Sequence, residues 1–145
     1  MSPDLPVAIA DISTGIRIAV ARLSRRLRNE KADDELSDTQ ASTLAFLARE
    51  GCATLSELSA YERVKPPSMN RTVNHLETAG YVIRTEDEHD GRKVIVVPTP
   101  AGLSVVTETR RRRDAWLHQR LRELTPEQRN TLASAARILQ DLADS

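Results

Sequence analysis

Apolar positions recur at three- and four-residue steps along most of this 145-residue chain, and they break into alternation at one place only. Ile9, Ile12, Ile16, Val20, Leu23 and Leu27 predict a long helix over residues 7–29 with one apolar face. Gly15 weakens it locally, by about 1 kcal/mol relative to Ala. After a charged linker at 30–35, Ser37-Asp38-Thr39-Gln40 has the form of a capping box and opens a second helix. That helix carries Ala41, Leu44, Ala45, Leu47 and Ala48 and stops at Gly51. Thr54-Leu55-Ser56-Glu57 is another such box and starts a short helix to about Glu62. A tight Arg63-Val64-Lys65 connection then leads to Pro66, suited to a first helical turn, and Gly80 suits the left-handed stop. Between them Met69, Val73, Leu76 and Ala79 form the inward face.

The helical period gives way to β-branched runs at 81–85 and 93–97, set around Asp90-Gly91, which predict a hairpin. Thr99-Pro100 opens a helix to about Leu124, with Leu103, Val106, Leu117, Leu121 and Leu124 as its stripe. Thr125-Pro126-Glu127-Gln128, a third capping box, opens the last helix, whose apolar face is Leu132, Ala135, Ile138, Leu139 and Leu142. Residues 1–6 hold two prolines and read as a loose arm. The predicted fold class is therefore mainly α with a small β-hairpin wing.

Two helices joined by a tight turn and followed at once by a hairpin make a winged helix-turn-helix. The outward face of the 66–79 helix is Ser68, Asn70, Arg71, Asn74, His75 and Thr78, polar and nearly free of acid. Asn offers a paired donor and acceptor to adenine, Arg a two-pronged donor to guanine, and Ser or Thr a hydroxyl to phosphate. A merely solvated face more often mixes Glu with Lys. Lys65 cannot cap the helix but can reach phosphate, and Arg92 falls at the hairpin tip, where Arg can enter a minor groove.

Composition changes this picture in two ways. With one Phe, one Trp and two Tyr, the core must come from Leu, Val, Ile and Ala. A long helix at each end is more than a domain of this size needs for its own core, so residues 7–29 read partly as a surface between two copies. The net charge is zero, so DNA binding requires a local basic surface. The wing itself sets Glu86, Asp87, Glu88 and Asp90 against Arg84, Arg92 and Lys93. Arg110 to Arg113 sweep around their helix, so at least one points away from open solvent. An ion pair within the chain or across an interface is favoured over phosphate, because interface Arg prefers carboxylates.

Other chemistry is not apparent. His75, His89 and His118 are scattered, without metal-ligand spacing, and no nucleophile elbow or phosphate loop occurs, so no metal, cofactor or enzyme activity is expected. The single cysteine, Cys52, implies a reducing compartment and reads as buried or inert. The N-terminus lacks the pattern of a signal peptide, and no segment approaches the ~20 apolar residues of a membrane span. The expected location is cytoplasmic, with no membrane partner.

Pro66 with Ser68-Met69-Asn70-Arg71, then Leu76-Glu77-x-x-Gly80-Tyr81-Val82-x-Arg84, Asp90-Gly91-Arg92-Lys93 and Thr99-x-x-Gly102 form an ordered set. In that order they resemble the MarR family of bacterial transcription regulators, and the flanking helices match as well, so the likeness spans nearly the whole chain. The resemblance implies one domain over 1–145, with dimerisation helices at about 7–29, 100–124 and 126–143 and a winged helix-turn-helix DNA-binding lobe at about 37–98. It implies contact with double-stranded DNA through Lys65, Ser68, Asn70, Arg71, Asn74, His75 and Arg92, with the Asp90 carboxylate orienting Arg92. A homodimer would form through Ile9, Ile12, Ile16, Trp116, Leu117, Leu121, Leu132, Leu139 and Leu142. It further implies a repressor on a pseudo-palindromic operator, released by a small aromatic acid or phenol held in a cleft between the two regions. The sequence names no residue of that cleft. Lys65 departs from the Ser or Asp that often caps this helix in relatives, and Cys52 lies away from the N-terminal cysteines through which some relatives sense peroxide. The other reading is a winged-helix module that mediates protein contacts and binds no DNA, which the neutral charge and acidic wing favour.

Overall fold

A computed structural model describes residues 7–145, so the arm expected at residues 1–6 lies outside the described residues. In chain order the elements are α1 (Ile9–Arg28), α2 (Asp38–Glu50), β1 (Ala53–Thr54), α3 (Leu55–Glu62), α4 (Pro66–Thr78), β2 (Val82–Glu86), β3 (Val94–Pro98), α5 (Pro100–Arg122) and α6 (Pro126–Ala143).

Local chemistry sets most of these boundaries. At α2 the Ser37 hydroxyl accepts the Gln40 N–H at 3.1 Å, and Gln40 Oε1 accepts the Ser37 N–H at 2.8 Å. Thr125 and Gln128 repeat this reciprocal pair at α6, at 3.1 and 3.0 Å. Thr54 differs from the expectation: its hydroxyl accepts the Glu57 N–H, but Glu57 makes no return bond. Thr54 is also part of β1, where it pairs with Ile95. Arg63 holds the left-handed conformation (φ 54°) that closes α3, with the Val64 N–H donating to the Ser59 carbonyl.

The sheet has the order β1-β3-β2, antiparallel throughout, with Val82 opposite Pro98 and Glu86 opposite Val94. Both hairpin strands therefore start one residue later than expected. The cause is Tyr81, whose N–H completes the end of α4 by donating to the Leu76 carbonyl at 2.9 Å. β1 was not foreseen, since two residues carry no period and its partner lies far along the chain. Ala79 was also expected inward, but it falls beyond the last turn of α4 and is exposed.

One junction locks the end of α4 to the start of α5. Gly80 takes φ +83°, and its carbonyl accepts the Thr99 hydroxyl at 2.6 Å. The Tyr81 carbonyl accepts the Thr99 N–H at 2.9 Å. That carbonyl passes so close to Gly102 that an added Cβ would collide with it. The glycines and threonine of the sequence pattern thus hold α4 to the rest of the molecule.

The core lies wholly in residues 36–106, with Leu44, Leu47, Leu58, Met69, Val73, Leu76, Val82 and Val96 at its centre. α5 contributes only Gly102 and Val106, and neither α1 nor α6 buries a residue. Their apolar faces lie open: Ile9 is 82% exposed, Ile138 61% and Leu142 58%. No helix among the described residues is long and apolar enough to cross a membrane.

Candidate nucleic-acid interface

α4 begins at Pro66, where the missing N–H has no cost, and Lys65 before it makes no side-chain cap. The Lys65 side chain is therefore left free at a helix N-terminus, where backbone N–H groups favour anions. Met69, Val73 and Leu76 are fully buried and fix the rotation of the helix. That rotation leaves Asn70, Arg71, Asn74, His75 and Thr78 exposed, with Ser68 half-buried. Arg71 Nη2 donates to the Ser68 hydroxyl at 3.3 Å.

Arg84, part of the sequence pattern, lies on β2. Its guanidinium donates to Glu77 Oε1 at 3.0 Å and to Asn70 Oδ1 at 2.9 Å. The acid of α4 is thereby paired.

The wing turn is held by its own acids. Asp87 Oδ1 accepts the His89 N–H at 3.0 Å, and Asp90 Oδ1 accepts the Arg92 N–H at 3.1 Å. The Asp90 carbonyl accepts the Lys93 N–H at 2.9 Å. The Asp90 carboxylate, expected to orient Arg92, holds that residue by its backbone N–H. Arg92 itself is exposed.

Of the residues expected between two copies, Ile9, Ile12, Ile16, Leu132, Leu139 and Leu142 are exposed, and Trp116, Leu117 and Leu121 are half-buried. Trp116 is flanked by the Arg26 and Arg120 guanidinium groups, 4.7 and 4.9 Å from its ring centre. The arginine run divides its work within the chain. Arg111 and Arg112 both bond Glu108, and Arg111 foremost holds that carboxyl down to about 2. Arg113 points inward and donates to the Leu27 carbonyl at 3.1 Å, at the negative end of α1. Cys52, expected buried or inert, is exposed.

A cavity of about 300 Å³ lies where the end of α1, the 29–37 linker, α2 and α5 meet. Arg28, Lys31, Arg110 and Arg113 surround apolar walls that include Leu36 and Val106. Lys31 and Arg28 are engaged by Asp38 at 3.2 and 3.4 Å, whereas Arg110 is exposed and forms no ion pair among the described residues. Asp33, also on the wall, accepts the Tyr81 hydroxyl at 2.6 Å, which holds its carboxyl below the usual range and raises the phenol. No local sequence signal pairs residues so far apart.

Comparisons with known proteins agree with this geometry. The profile of the MarR family matches residues 35–93. The HTH-type transcriptional regulator Mb0904 of Mycobacterium bovis is 39% identical over 135 residues, covering 93% of this chain and 94% of its own. A crystal structure of a putative transcriptional regulator from Pseudomonas aeruginosa superposes with a TM-score of 0.83 at 28% identity, over 94% of this chain and 96% of that one. The F27L mutant of Staphylococcus aureus MepR, solved bound to an oligodeoxyribonucleotide, shares the fold with a TM-score of 0.68 at 18% identity, over 90% and 97% of the chains.

Proposed function

Since the chain belongs to the MarR family of transcriptional regulators, we propose that it acts in the cytoplasm as a homodimeric repressor released from its operator by a small aromatic acid or phenol. The observation that carries this is the setting of α4: three wholly buried side chains fix it, and Asn70, Arg71, Asn74 and His75 face outward together. Each subunit would lay α4 in a major groove. A two-fold axis would then place half-sites of a pseudo-palindrome about one turn, roughly 34 Å, apart. MepR, with the same fold, was solved with an oligodeoxyribonucleotide, which supports DNA as the partner here.

The open apolar faces of α1, α5 and α6 support self-association, because monomers rarely expose contiguous apolar patches beyond a few hundred Å². The cavity beside α2 supports the effector. Its apolar walls suit a ring, and Arg110, exposed and in no ion pair among the described residues, is a cation available to a carboxylate. Stabilisation of the protein by aromatic acids, lost in Arg110→Ala, checks that part.

A gel shift against the gene's own upstream region at two salt concentrations tests the main reading. A sequence-specific shift that weakens as salt rises is expected. An absent shift, or one equal to that with unrelated DNA, favours the module that binds protein alone.

A further inference from the structure

Arg84 does not belong to the outward face of α4, yet it bonds a residue that does. Asn70 and Glu77 stand on one edge of α4, and Arg84 reaches both from β2. Its side chain is 22% exposed against 44% for Glu77, so the guanidinium is the better-buried member of the cluster. A guanidinium has donors only. The Asn70 atom that faces it must therefore be the amide oxygen, which settles an orientation that side-chain shape alone leaves open. The Asn70 Nδ2, with its two hydrogens, then points away from Arg84. Arg84 and Glu77 cancel in charge, so the cluster sets direction without adding a net cation to the helix.

We infer that Arg84 is a positioning residue that makes Asn70 a donor-only contact, so that position 70 selects a hydrogen-bond acceptor on DNA rather than an adenine edge. This rests on the DNA-binding reading above. An unconstrained Asn reads adenine because its oxygen takes the N6 hydrogen while its nitrogen donates to N7. Both atoms must reach one base edge, and although the amide oxygen keeps a second lone pair, its bond to Arg84 turns it toward β2. What remains is a donor, matched by guanine O6 or N7, by thymine O4, or by a phosphate oxygen.

The test is fluorescence anisotropy of the full chain on its operator and on a panel replacing each base pair, at two salt concentrations. The variants are Asn70→Ala, Arg84→Met and the double substitution. Arg84→Lys serves beside the methionine variant, because it keeps the stem and the cation but cannot span both partners. If the acceptor is a base, Arg84→Met should move preference toward adenine at one position per half-site by about tenfold. If it is a phosphate, Arg84→Met and Asn70→Ala should each weaken all sequences alike, by several-fold. In either case the effect of Arg84→Met should disappear in the Asn70→Ala background. Persistence of the full effect there overturns the inference, since Arg84 would then only brace the fold. An Asn70→Ala variant with wild-type affinity and preference overturns it as well. A wild-type chain that binds no DNA overturns the regulator reading and this inference together, whereas a binding wild type with uncoupled Arg84 removes only the latter.

Discussion

Arg71 is exposed on α4, and its only side-chain bond is the 3.3 Å contact with Ser68, so little of the fold depends on it. Arg71→Ala should keep the melting temperature while losing a base contact that discriminates by ~1–3 kcal/mol. Anisotropy on specific and scrambled DNA checks this, and unchanged affinity and preference would contradict it. Asp33 makes a prediction of a different kind. Its folded pKa lies below the ordinary 3.8 because of the Tyr81 hydroxyl, so the bond stabilises the fold fully above that value. The contribution is lost as pH falls through the depressed folded value. Tyr81→Phe should raise the Asp33 pKa in a carboxyl titration by NMR and remove that acid-sensitive part of the stability. The outward residues of α4 could be read from the sequence because they share a helix and a period. Asp33 with Tyr81, and Arg84 with Asn70, could not: these partners are 48 and 14 residues apart, and only the packed fold brings them together.

The helices were readable because their ends are written locally, in Ser37 with Gln40, in Thr125 with Gln128, and in Gly51 and Gly80. β1 was not, because a strand of two residues exists only through its pairing with Val96 and Ile95. The one-residue offset of the hairpin has the same origin: Tyr81 looks like a strand residue but serves as the terminator of α4. The Thr99–Gly102 turn joins two element boundaries, since it ties the end of α4 to the start of α5. Gly102→Ala should force the Tyr81 carbonyl away and destabilise the fold by about 1–3 kcal/mol, as overpacking does. Thermal unfolding measures it, and a variant as stable as wild type would mean that the junction yields freely.

Taken entire, the molecule divides into a lobe with a closed core and three helices with almost none. α1 and α6 bury nothing, and α5 buries only its first turns. Long helices gain most of their stability from packing an apolar face, so a second copy is the simplest cover for Ile9, Ile12, Ile138 and Leu142. Deleting residues 125–145 should leave a monomeric or aggregating product, and a well-folded dimer of the truncated chain would contradict that assignment. The most direct test joins both halves of the account. In sedimentation velocity with a labelled duplex from the gene's own upstream region, the complex should carry two chains per duplex. It should dissociate as salt rises. One chain per duplex, or no complex at low salt, would contradict a dimer that reads DNA through paired α4 helices.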